Sequence, residues 1–160
     1  YYYIPTVYDL TRIADFVEMD TIWATKVLME RGLRASDISK IIAMLKIRPL
    51  RDEIRRQIAI WVKRRRYGWI TETQLDTALQ VYLDKGYIQA TEKSLSMEEA
   101  TLLYEDELMT EQIDIFKWYF KTGVITDEEL LEDFLALGIV EEKANLMVED
   151  LKAQGYYGYY

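Results

Sequence analysis

The phrase GVITDEEL from Gly123 to Leu130 occurs earlier as GWITETQL from Gly68 to Leu75, and this repetition constrains the fold more than any other feature. In each copy the glycine can take the left-handed conformation that ends a helix. The isoleucine two residues on points inward, the threonine at the next position caps a new helix, and the leucine completes an apolar corner. The phrase is therefore a helix-turn-helix corner used twice. Superposed on their glycines, the copies also align Ile58 with Ile113, Trp61 with Phe116, and Leu79 with Phe134, whereas Arg64 and Arg65 stand where the later copy has Tyr119 and Phe120. Inward positions agree in kind, and the flanking surface has diverged into a basic and an aromatic version.

Helical spacing extends in both directions from these corners. Val7, Leu10, Ile13, Ala14 and Val17 predict a first amphipathic helix from about Thr6 to Glu18. Asp20 is an N-cap for a second, with Ile22, Trp23, Val27 and Leu28 as its apolar residues and Gly32 as its stop. Ser36 and Asp37 open a third, and Pro49 a fourth reaching Tyr67, because proline is tolerated where a helix begins. Ile38, Ile42 and Leu45 lie six, ten and thirteen residues beyond Gly32, a degenerate echo of the repeated phrase. Thr71 with Gln74, Ser96 with Glu99, and Thr126 with Glu129 read as capping boxes, and Thr110 as a further cap, with a connector from Tyr87 to Leu95. A last helix carries Ala144, Leu146, Met147 and Leu151 and stops near Gly155.

The expected fold is all-α, a single helical bundle over residues 1–160 of about eight to nine helices, with pseudo-repeated hairpins near 20–66, 50–108 and 110–153. At 160 residues such a chain buries roughly 68–70% of its unfolded surface. Its tyrosine-rich ends, Tyr1 to Tyr3 and GYYGYY, read either as packing on a neighbouring subunit or as flexible termini. No apolar run reaches the ~20 residues of a membrane span and no signal-peptide pattern is present, so the chain reads as soluble.

Composition narrows the chemistry. There is no cysteine and no histidine, which removes thiolate nucleophiles, Ser/His pairs and most zinc sites. An enzyme is disfavoured, and no catalytic, cofactor-binding or metal-binding residue is assigned. The net charge of −8 hides a polarity: residues 1–66 hold 14 basic and 8 acidic side chains, residues 67–160 hold 6 and 20. Opposite halves of this kind attract within a monomer, attract head to tail between copies, or present the basic half to a polyanion.

On the fourth helix Leu50, Ile54, Ile58, Trp61 and Val62 share the inward sector, while Arg55, Arg56, Lys63 and Arg66 line the far side with Arg64 beside them. Cations of this type and spacing neutralise phosphates or an acidic protein surface, although a basic last turn is also what the helix macrodipole favours. The acid-rich counterparts are Glu128, Glu129 and Glu132. Both sets are candidate partner-binding residues, and subunit contact is preferred to nucleic acid. The cluster Ile113, Ile115, Phe116, Trp118, Tyr119 and Phe120 reads as core packing in a central helix.

The phrase G-x-I-T-x-x-[EQ]-L, set between amphipathic helices after the opening P-x-x-x-D-L of Pro5 to Leu10, resembles the helical-hairpin repeats of structural proteins from tailed phages and archaeal viruses. This resemblance covers most of residues 5–153. It implies a virion or assembly role and a virion location, and transfers no catalytic residue. The expectation is a non-enzymatic virion or filament component that forms a homo-oligomer or joins other assembly proteins. The alternative is nucleic-acid binding through the basic helix 49–67.

Overall fold

The computed structural model describes residues 3–157, and every regular element among them is helical. Tyr1, Tyr2, Gly158, Tyr159 and Tyr160 lie outside the described residues, and with them most of the tyrosine-rich ends. The helices are α1 (Val7–Ala14), α2 (Thr21–Glu30), α3 (Ala35–Ile47), α4 (Arg51–Arg66), α5 (Glu72–Asp84), α6 (Ala90–Lys121), α7 (Asp127–Ala136) and α8 (Glu141–Ala153). A 3-10 turn at Arg48–Leu50 joins α3 to α4 without a break, so the described residues form seven continuous helical segments rather than eight or nine.

Two boundaries expected from the sequence are absent. Pro49 sits inside the 3-10 turn, where its missing N–H interrupts nothing, instead of opening a separate helix. The larger difference is α6, whose 32 residues run through both Ser96 and Thr110. The Thr110 hydroxyl donates to the carbonyl of Asp106 at 3.0 Å, one turn back, which lets a helix continue through a residue equally suited to capping. No glycine or proline lies between Gly86 and Gly123 to stop it. The connector is correspondingly shorter than Tyr87 to Leu95, since α6 begins at Ala90.

Helix ends follow a common construction. Five helices end in a glycine whose N–H, and that of the next residue, return to carbonyls of the last turn: Gly32 and Leu33, Gly86 and Tyr87, Gly123 and Val124, Gly138 and Ile139, Gly155 and Tyr156. Such closure needs a positive φ, as at Gly123 (78°), which a side chain would disfavour. Three helices then start with a reciprocal capping box, Thr71 with Gln74, Thr126 with Glu129, and Thr6 with Asp9. The Thr6 box was missed in the sequence, although T-x-x-D-L matches T-x-x-Q-L and T-x-x-E-L once aspartate is allowed to reach back.

The chain divides into two compact units, one of the described residues up to Arg64 with Thr71–Met97, the other of Arg65–Ile70 with the residues from Glu98 onward. In the first, α1 and α2 pack on α3 around the fully buried Leu10, Leu28 and Leu45. Val17 is exposed because α1 ends at Ala14, and Phe16 beside it is 86% exposed. Ile22 and Leu50 are exposed as well, and Ala24 takes the inward place on α2. In the second unit α7 packs on α8 around Phe120, Leu130, Phe134 and Leu151.

These two cores agree at most buried positions, although the buried Val27 falls on Asp133 and the buried Val148 on the partly buried Ile42. Helices α2 and α7 are both ten residues long, and α3 and α8 both thirteen. At one constant spacing Ala24 corresponds to Leu130, Leu28 to Phe134, Gly32 to Gly138, Ile38 to Ala144 and Leu45 to Leu151, and apart from the glycines every one of these side chains is buried. The same spacing carries Leu10 and Ala14 of α1 onto Phe116 and Phe120 near the end of α6. At the same spacing Ile38, Ile42 and Leu45 fall on Ala144, Val148 and Leu151 after Gly138.

These caps and cores set measurable costs. Thr126→Ala is expected to lower unfolding free energy by about 0.5–2 kcal/mol, Gly123→Ala by about 1–2 kcal/mol and Leu130→Ala by about 2–5 kcal/mol, read by urea titration. Unchanged midpoints in all three variants would contradict the corner's structural role.

Candidate functional site

The five cations singled out on α4 do not act as one ridge. Arg56 pairs with Glu53 at 2.7 Å one turn away, an exposed ion pair of small energetic weight. Arg66 is half-buried and its Nε donates to Glu107 at 3.3 Å. Arg64 lies over the ring of Trp61, 4.7 Å from its centroid. Arg55 and Lys63 are exposed and stand outside the ion pairs among the described residues. Intramolecular partners thus hold three of the five, leaving Arg55 and Lys63 to face outward.

Arg65, the cation between them, was not among the predicted contacts and has a structural place. It occupies the position that Phe120 fills in the later corner, with its guanidinium 3.8 Å from the Tyr104 ring centroid and one N–H donated to the carbonyl of Ile70. Its buried Nε has no partner among the described residues. Stacking on an aromatic face lets a cation replace a buried phenylalanine. The matching glycine is also confined, since a Cβ on Gly68 would stand 3.5 Å from Tyr104.

On α7 the acidic candidates separate in a similar way. Glu129 is committed to the cap, accepting from the Thr126 N–H at 3.4 Å and from the Thr126 hydroxyl at 3.2 Å. Glu128 and Glu132 are exposed. Asp127, at the start of the same helix, pairs with Lys152 at 2.8 Å. Hydrogen bonding to Lys152 holds the Asp127 carboxyl below its ordinary 3.8, and the same bond raises Lys152 above its ordinary 10.5.

Arg55 belongs to a different group of cations from the one expected. It lines a groove of about 440 Å³ in the first unit, bounded by α3, α4 and the turn before α6. Lys40, Arg48 and Arg51 share its rim, against one carboxylate, Glu92. Arg48 is partly neutralised by Asp15, whose carboxylate accepts from its Nε at 2.8 Å and raises the guanidinium pKa. The floor includes the buried Ile54 and Ile88. Lys40, Arg48 and Arg51 were not anticipated because Pro49 was read as a helix start, which separated the two halves of one helical run.

The aromatic cluster at the end of α6 is also only partly internal. Phe120 is fully buried, but Trp118 is 59% exposed, and Ile115 and Tyr119 are exposed beside it. The expectation of core packing therefore holds for one side of the helix, and the other side presents an apolar surface. Among the described residues no three carboxylates are placed to hold a metal ion, and no helix is long and apolar enough to cross a membrane. No family model, curated protein or solved structure matches the chain.

The Asp127–Lys152 pair has a pH signature of defined sign. The depressed Asp127 contributes stability present above 3.8 and lost as pH falls through its lower folded value. The raised Lys152 contributes stability present below 10.5 and lost as pH rises through its higher folded value. In Lys152→Met the Asp127 carboxyl should titrate closer to 3.8 by carboxyl-carbon NMR, and an unaltered titration would contradict the pairing.

Proposed function

We propose that this chain is a non-enzymatic assembly protein, a component of a virion or filament, that self-associates through complementary basic and acidic helical surfaces. The observation that carries the reading is the contrast between inside and outside in the two matched hairpins. Most of their buried positions correspond, yet residues 20–47 bear 5 cations and 3 carboxylates whereas residues 126–153 bear 2 cations and 9 carboxylates. On this reading the hairpins are copies of one pseudo-repeated unit whose packing was kept while the surface charge was reversed. Opposite charge on different patches of one chain favours heterologous, head-to-tail contact, which closes into rings or continues as filaments.

The resemblance of G-x-I-T-x-x-[EQ]-L and its flanking helices to viral helical-hairpin repeats supports a structural role in the same sense. Arg55 and Lys63, outside the ion pairs among the described residues, and the exposed Glu128 and Glu132 are the surface charges available to it. The same two cations favour nucleic acid as the competing partner for α4. A polyanion would have to approach against the excess of carboxylates in residues 67–160.

Static light scattering across a sodium chloride series tests the proposal. Screening lengths fall from about 10 Å at 0.1 M to about 3 Å at 1 M, so oligomers present at low salt should dissociate over that range. A monomer at every salt concentration would overturn the reading. For the competing partner, a gel shift that weakens steeply with salt and is lost in Lys63→Ala would be required.

A further inference from the structure

We infer that the groove rimmed by Lys40, Arg48, Arg51 and Arg55 is the receiving half of the contact between copies, and that its occupant is the acidic face of α6 from a second copy. The inference rests on the assembly reading above and deepens it by naming both surfaces.

The groove has the character of a helix-binding site rather than of a solvated basic patch. Its floor is apolar and its rim is cationic, the arrangement in which an amphipathic helix lays its side chains down and its flanking charges are met at the edges. Lys40, Arg51 and Arg55 are exposed and remain outside the ion pairs among the described residues, so cations outnumber the one carboxylate of the groove, Glu92. Cations crowded around an apolar floor repel one another until an anionic partner arrives.

Within the second unit, one stretch of α6 has the complementary pattern. Glu98, Glu99, Leu102, Glu105 and Asp106 recur at three- and four-residue spacing and therefore share a face. All are exposed, Leu102 to 66%, so the chain leaves a leucine in water with a pair of carboxylates one turn to either side. An exposed leucine alone would be unremarkable. Its combination with four flanking carboxylates, none in the ion pairs among the described residues, matches the groove in both polarity and charge. Leu102 would enter the floor beside Ile54 and Ile88, with Glu98, Glu99, Glu105 and Asp106 at the cationic rim.

Charge exchange between the two surfaces tests this directly in the full chain. The double variants Arg51→Glu/Arg55→Glu and Glu98→Lys/Glu105→Lys change only exposed side chains, and circular dichroism with a thermal midpoint establishes that each is folded. At low salt each variant alone should associate at least about tenfold more weakly than the wild type by sedimentation velocity, and an equimolar mixture of the two should recover association. Wild-type-like association of either variant, with the wild type still oligomeric, would overturn the groove assignment and leave the assembly reading standing. A wild type that stays monomeric would overturn both. If the groove variant instead loses binding to a 20-nucleotide DNA probe that the wild type retains, the groove serves nucleic acid and the inference fails.

Discussion

The structure depends on one local interaction, the closure of a helix end by a glycine whose N–H and that of its successor turn back to the preceding carbonyls. At Gly32, Gly86, Gly123, Gly138 and Gly155 this closure satisfies carbonyls that would otherwise need water, and it reverses the chain in a fixed direction. The residue after each glycine, Leu33, Tyr87, Val124, Ile139 or Tyr156, is apolar. With the turns alike, most buried positions of α2 and α3 recur in α7 and α8 at one constant spacing. Both hairpins pair a helix of ten residues with one of thirteen.

With the interior held this way, the exterior is free to vary. The two matched hairpins differ by many charges, and the corner after α4 carries Arg65 against Tyr104 where the corner after α6 carries the buried Phe120. Apart from Asp133, which stands where the first hairpin has the buried Val27, these changes leave the buried positions apolar. The energetic reason is ordinary: an exposed charge alters stability by a few tenths of a kcal/mol, whereas a buried leucine is worth roughly ten times more. Surface identity can therefore follow a partner while the packing is conserved within the chain, which is what the proposed head-to-tail contact requires.

The corners were legible in the sequence because glycine, threonine and the reach-back residue each act locally, within one turn. Leu75, Leu79, Leu130 and Phe134 are fully buried where the repeated phrase places them. Less was legible where a residue serves two purposes. Thr110 is a good cap in isolation, yet its hydroxyl bonds back to Asp106 and the helix continues; the missing glycine or proline was the better guide. Pro49 suggests a boundary although a 3-10 turn absorbs it, and this conceals the groove, whose rim needs both Lys40 before the proline and Arg55 after it. Which of the α4 cations face outward was readable only in part, through the i, i+3 pairs Glu53–Arg56 and Trp61–Arg64. The rest depends on Glu107 finding Arg66, a contact that helical spacing does not encode for residues so far apart.

The central claim is that copies of this chain meet through opposite charges, groove to acidic helix. Zero-length carbodiimide cross-linking of a mixture of unlabelled and nitrogen-15-labelled protein examines it most directly, because only an amine already beside a carboxylate is joined. The account predicts mixed-isotope peptides linking Lys40 of one copy to the carboxylates between positions 98 and 106 of another, lost at high salt. Cross-linked peptides of single isotopic origin alone would contradict it.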